Sequence, residues 1–197
     1  MAHYYSEKQE GQLKPFPVKI KVKGMEFSLL SGGGVFSKEE LDKGTKVLIE
    51  NCIINDGDSV LDIGCGYGVL GISLSKRFDI KVLMSDINER AIILSKMNIK
   101  SHNLKNAQAR KSDLFENIPE KDFDAILSNP PQSAGKEICF KMIEGAFSHL
   151  KSCGSLQIVA RHNKGGATLE KKMNEIFGNA ARIGKGSGFK VYMSRKE

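Results

Sequence analysis

Four short stretches of the chain hold residue types that could do chemistry together. They are the glycine-rich run Val60 to Gly71 (VLDIGCGYGVLG), Asp86 at the end of IKVLMSD, the segment Lys111 to Phe115 (KSDLF), and Ser128-Asn129-Pro130-Pro131. In the first, an apolar strand runs straight into glycines, which let the backbone turn tightly and approach a ligand. Gly66, Gly68 and Gly71 also satisfy the G-x-G-x-x-G pattern, so this run alone is equally a dinucleotide site. Asp86 lies about 20 residues on, where a carboxylate can accept both hydrogen bonds from a ribose diol or cap the helix that begins near Asn88. Asp113 could accept from an adenine amino group while Leu114 packs on the ring, although a solvated loop aspartate explains Asp113 as well.

The fourth stretch discriminates. Two prolines directly after the apolar run DFDAIL fix the backbone and leave carbonyls without local donors. A nicotinamide enzyme has no need of such an element, whereas methyl transfer to a planar amine nitrogen does, because the nitrogen lone pair is delocalised and must be freed. Two acceptors on its two hydrogens do this, and the candidates are the Asn129 side-chain oxygen and the Pro130 carbonyl. An oxidoreductase would also require a proton donor in the crevice. His102, His149 and His162 all fall at helix ends or beyond the last apolar run, where surface or capping roles are expected.

Positioning these groups requires a sheet. Short apolar runs alternate with helical patterns from Asp58 onward: SVLDI then VLGISLSKRF, IKVLMS then ERAIILSKMNIKSHN, DAILS then KEICFKMIEGAFSHL, and LQIVA then TLEKKMNEIF. AQARK fits one further strand, and the tail from Ala180 to Arg195 suits a closing hairpin. This alternation predicts a doubly wound α/β domain, residues 51–197, with parallel strands joined by right-handed crossovers. Residues 1–50 read as an N-terminal extension packed on it. PVKIKVKGMEFSLL forms a hairpin turning at Lys23-Gly24, followed by a helix from Leu41 to Asn51.

The 197 residues, 40% of them apolar, suffice for one such core. No run approaches the length needed to span a bilayer, and the opening residues carry no secretory signal, so a cytoplasmic protein without a membrane partner is expected. The scattered cysteines, Cys52, Cys65, Cys139 and Cys153, suggest neither zinc nor disulfides and are expected to be reduced and mostly buried. An excess of 30 Lys and Arg over 23 Asp and Glu, net +7, favours a polyanionic partner such as RNA. Lys19, Lys21 and Lys23 on the hairpin, and Lys164, Lys171, Lys172, Lys185 and Lys190 near the C-terminus, are the candidate phosphate contacts.

LDIGCGYG, Asp86, SDLF and SNPP resemble the corresponding motifs of the class I S-adenosylmethionine-dependent methyltransferases. More narrowly, HYYS (3–6), GVFS (34–37), LDKGTKVL (41–48) and NPP (129–131) are similar to the methyltransferase small-domain family, which includes 16S ribosomal RNA guanine-N2 methyltransferases of the RsmC type and shorter archaeal relatives. The resemblance implies a Rossmann-like sheet of seven strands, the last antiparallel. It also implies S-adenosyl-L-methionine held by Asp62, Gly64, Gly66, Gly68, Asp86, Asp113, Leu114 and Asn129, with Asn129 and Pro130 catalytic. Phe36 and Ser37 would lie near the cofactor or target base, with Phe36, Pro131 and Gln132 among the substrate contacts. The residue after NPP is usually aromatic or large and apolar in the family, and here it is Gln132. RsmC-type enzymes carry an additional N-terminal domain that this sequence does not show, which would leave RNA recognition to the hairpin and lysines. The expected target is the N2 amine of a guanine in ribosomal RNA. Release-factor glutamine methyltransferases, which share NPP, and a non-catalytic nucleoside- or RNA-binding module are the alternatives.

Overall fold

Each apolar run needs backbone partners along both edges, and the computed structural model, which describes residues 12–35, 40–130 and 135–197, supplies them in one sheet. Its strands are β3 (Ser59–Ile63), β4 (Lys81–Asp86), β5 (Ala107–Lys111), β6 (Phe123–Ser128), β7 (Leu150–Ala160), β8 (Ala181–Gly186) and β9 (Phe189–Arg195). They lie in the order β5-β4-β3-β6-β7-β9-β8, with β5 to β7 parallel and β9 antiparallel to both its neighbours. The order reverses between β3 and β6. In doubly wound sheets the crevice opens at the carboxyl ends of such a pair.

Side-chain alternation along the strands divides the core in two. Val60, Val82, Met84, Leu127 and Val191 pack with α1 (Lys43–Asn51), α2 (Val69–Ser75) and α3 (Glu89–Ser101), whereas Leu61, Ile126, Leu156, Ile158 and Tyr192 pack with α4 (Lys136–His149) and α5 (Ala167–Phe177). Two departures from the sequence reading have physical causes. The first helix starts at Lys43 because Asp42 caps it, accepting from the Thr45 amide at 2.8 Å. The run KSCGS belongs to β7, which starts at Leu150 and is 11 residues long. Its polar letters hide a strand that shifts register against β6 between Phe123 and Ala125, with Cys153 at φ 64°. All four cysteines are free thiols, Cys65 and Cys139 buried and Cys153 exposed. Among the described residues no helix is long and apolar enough to cross a membrane.

The hairpin pairs β1 (Phe16–Val22) with β2 (Met25–Ser31) and turns through Lys23 and Gly24 at φ 49° and 76°, the left-handed pair that a two-residue turn requires. Val18, Ile20, Val22 and Leu29 join the core shared by α1, α2 and α3, so the hairpin is a further layer outside those helices. Pro17, opposite Leu30, has no N–H, and the Leu30 backbone groups point away from β1. Helix α3 meets them. Buried Asn98 accepts from the Leu30 amide at 2.7 Å and donates to the Leu30 carbonyl at 2.9 Å, while His102 donates to the Ser28 carbonyl. The other Asn98 amide hydrogen reaches the Tyr67 carbonyl in the glycine loop at 2.9 Å.

Asn98→Ala strands one buried and two half-buried backbone groups, the buried one costing on the order of 1–3 kcal/mol when unpaired and the others less. We expect a lower urea midpoint and faster exchange of the Leu30 amide; an unchanged midpoint would show that the hairpin docks by apolar contact alone.

Candidate active site at the carboxyl edge of the sheet

The ends of β3, β4, β5, β6 and β7 surround a cavity of about 930 Å³. At its floor the chain leaves β3 through Gly64, Gly66 and Gly68, with φ of 72°, 56° and 90°. Left-handed backbone of this kind strains any residue bearing a Cβ. A Cβ on Gly64 would meet no atom within 4 Å, so the space above the loop is open to a ligand. Gly71 serves packing instead, since a Cβ there would stand 2.6 Å from Met84 Cγ and force α2 off the sheet.

Asp86 ties this loop to β4. Its Oδ2 accepts from the Gly66 amide and its Oδ1 from the Asn88 amide, each at 2.9 Å. The cap of α3 is Asn88, accepting from the Arg90 amide, so capping is not the work of Asp86. Asp62 lies beneath, 2% exposed, accepting from the Gly71 amide at 3.1 Å. Burial pushes its carboxyl up to about 7; the Gly71 amide opposes this, and the like charge of Asp86 adds to it. Burial also raises Asp86, against the pull of the Asn88, Gly66 and Ile87 amides. Two carboxyls disfavoured as anions and facing one cavity suit a ligand that brings hydroxyl donors and positive charge. Asp113 and Leu114 stand at the rim after β5, Asp113 exposed.

At the end of β6 the Asn129 side chain is held by two partners the sequence reading did not assign. Its Nδ2 donates to Asp42 Oδ2 at 2.7 Å and to Thr45 Oγ1 at 2.9 Å, using both hydrogens. A carboxylate only accepts, so the amide can stand only one way round. Among the described residues no donor meets its Oδ1, and none meets the Pro130 carbonyl. Both residues line the cavity. A cap at Asp42 is legible from the residues that follow it, but a bond across 87 positions leaves no local trace.

Phe189 of β9 and Arg161 beyond β7 also line the cavity, as does Lys164, the one C-terminal candidate lysine that does. On the hairpin Lys19 and Lys21 both pair with Glu26, and Lys23 sits in the turn. The three histidines lie elsewhere: His102 on the hairpin edge, His149 against the Gly145 and Ile118 carbonyls, and His162 against the Tyr192 hydroxyl. HYYS, Phe36, Ser37, Pro131 and Gln132 fall outside the described residues.

The raised Asp62 carboxyl fixes a sign. Between its ordinary 3.8 and about 7 the folded chain binds the proton that the unfolded chain has released, so its contribution to stability falls as pH rises across that window. Urea midpoints at pH 5 and pH 8 should therefore differ more in the ligand-free wild type than in Asp62→Asn. Equal differences in the two proteins would refute the assignment.

The profile of the methyltransferase small domain matches residues 26–193. YbxB, an uncharacterized protein of Bacillus subtilis, is 35% identical over 197 residues, covering 98% of both chains. The ribosomal RNA small subunit methyltransferase C of Hamiltonella defensa is 34% identical over 181 residues, 89% of this chain and 52% of that protein. The chain thus spans about half the length of that ribosomal RNA methyltransferase. Among solved structures, the 16S rRNA N2 methyltransferase RsmC of T. thermophilus, in complex with AdoMet and guanosine, superposes with a TM-score of 0.77 at 23% identity, over 95% of this chain and 52% of that one. The match over most of its length places this chain in the methyltransferase small-domain family, a family of S-adenosylmethionine-dependent methyltransferases.

Proposed function

We propose that the chain methylates the exocyclic N2 amine of a guanine in ribosomal RNA. The observation that carries this reading is the orientation of Asn129, whose amide hydrogens are both engaged by Asp42 and Thr45 and whose oxygen is left for a donor in the cavity. The small subunit methyltransferase C named above, 34% identical, supports RNA as the substrate. The T. thermophilus structure, in complex with AdoMet and guanosine, supports guanine as the base.

S-adenosylmethionine supplies an electrophilic methyl on a sulfonium and brings a ribose diol and an ammonium. Its donors and positive charge match the raised carboxyls of Asp62 and Asp86, and the open space over Gly64 admits its close approach to the backbone. Asp86 keeps acceptor capacity on both oxygens beyond the amides it already binds. Asp113 and Leu114, at the rim of the cavity, would take the adenine amino group and ring face.

Asn129 Oδ1 and the Pro130 carbonyl each accept one hydrogen of the target amine. Drawing both hydrogens to one side turns the nitrogen lone pair out of conjugation and toward the methyl. As the new N–C bond forms, positive charge grows on nitrogen, and the two oxygens bind its hydrogens more tightly than before. Stabilisation that increases in the transition state raises turnover rather than affinity. Neither oxygen is a base, so the surplus proton leaves to water after transfer.

Asn129→Ala should lower kcat by about 10²-fold or more while changing the dissociation constant of S-adenosylmethionine little. Asp42→Asn keeps a competent helix cap, because Asn and Asp cap about equally, but removes the carboxylate that fixes the Asn129 amide. We expect unchanged thermal stability with kcat reduced about tenfold. Nucleoside analysis of RNA labelled by radioactive methyl transfer tests the target. N2-methylguanosine is expected; label confined to protein would replace this reading with amide methylation.

A further inference from the structure

The cavity is not uniform in charge. On its β5, β4 and β3 side it presents Asp113, Glu116, Asp86 and Asp62, with Asp42 bonded to Asn129 in the middle and Lys141 on α4, and beyond Asn129, at the end of β7, it presents Arg161 and Lys164. Adjacent strands stand about 4.8 Å apart, so the two ends of this gradient, from β4 to β7, are separated by roughly 15 Å. A cationic ligand is drawn to one end and an anionic one to the other.

The basic end is built. Arg161 starts a kinked turn over His162–Gly166, in which the Lys164 and Gly166 amides both donate to the Arg161 carbonyl at 3.0 Å. His162 bonds the Tyr192 hydroxyl at 2.9 Å, and a Cβ on Gly166 would stand 2.7 Å from that oxygen, so the turn is pinned to β9. The Arg161 guanidinium lies over the Phe189 ring, 4.5 Å from its centroid. Phe189 Cε1 and Asn129 Oδ1 stand 2.9 and 3.1 Å from one point, the place of a Cβ on Gly44, and so are at most about 6 Å apart. Neither Arg161 nor Lys164 has a carboxylate partner among the described residues. Lys19, Lys21, Arg110, Lys111, Lys151, Lys172 and Arg182 all do. Glu170, on the neighbouring helix, is already held by Arg182 through two bonds. Outward from Arg161, Lys190 pairs with Ala160 across β7 and β9, and Lys185 pairs with Lys190 across β9 and β8.

We infer that Arg161 and Lys164 form the phosphate-binding subsite of the acceptor strand, holding the phosphodiester of the target nucleotide beside Asn129, with the flanking RNA running across the ends of β9 and β8. This rests on RNA being the substrate but not on which base is methylated. Arg161, planar and braced by the Phe189 ring, suits two oxygens of one phosphate, and Lys164 adds a point charge. The subsite lies on the sheet edge, away from the hairpin lysines.

The test measures binding of a fluorescein-labelled 20-nucleotide single-stranded RNA across a salt series, with S-adenosylmethionine affinity as the control for folding. Arg161→Gln/Lys164→Gln should bind the RNA about tenfold more weakly at 100 mM NaCl. The slope of log affinity against log salt should be shallower by about 1.4, corresponding to two lost contacts on a single strand. Lys81→Gln/Lys121→Gln removes equal charge at the amino edge of the sheet and should match the wild type. RNA binding by the wild type with equal loss in both double variants, or loss in neither, would overturn the subsite while leaving an RNA substrate in place. A wild type that binds no RNA and labels only protein would overturn both.

Discussion

An amide group is nearly symmetric in shape and opposite in function at its two ends, so what an asparagine presents to a cavity depends on something that decides which end faces it. Here the decision is made by Asp42, which accepts from Asn129 Nδ2 at 2.7 Å, with Thr45 taking the second hydrogen. The same carboxylate caps α1 through the Thr45 amide. One short segment therefore starts a helix, fixes a side chain at the end of β6, and closes one wall of the cavity. Gly44 lets this happen. A Cβ there would stand 2.9 to 3.1 Å from Phe189, Asp42 and Asn129 at once, so the helix could approach the strand end only with glycine at that place.

The rest of the site depends on where the strand order reverses. β3 and β6 diverge to helices on opposite faces, and the carboxyl ends of both, with β4 and β7 beside them, open into one crevice. Burial acts on the charges there in two ways. It raises Asp62 and Asp86, which makes them poor anions alone and good partners for a positively charged ligand rich in donors. Arg161 lines the cavity from a turn in which the Lys164 and Gly166 amides both donate to its carbonyl.

Much of this could be read from residue order. The glycine loop, Asp86, Asn129-Pro130 and the strands, apart from the polar first half of β7, are visible as local patterns, because each is set by neighbours within a few positions: φ at glycine, period at strands, rigidity at proline. Asp42, Thr45, Phe189 and Arg161 were not assigned to the site, since their roles arise from pairings 28 to 87 residues away. Charge was the weakest guide. The alternating hairpin lysines look like a phosphate stripe in one dimension, yet Glu26 lies across the turn from Lys21 and takes up both Lys19 and Lys21. Composition counts charges and cannot show which of them share a cross-strand partner, as Lys19 and Lys21 share the one carboxylate of Glu26.

Asn98 bonds two parts of the protein that lie far apart in the sequence. One end of its amide completes the outer edge of β2 at Leu30, and the remaining hydrogen holds the Tyr67 carbonyl inside the glycine loop. The hairpin and the glycine loop therefore share one buried polar side chain, set in an apolar core to which both contribute. By reciprocity of linked equilibria, whatever factor a molecule resting on the hairpin applies to cofactor affinity, the cofactor must apply to that molecule in return.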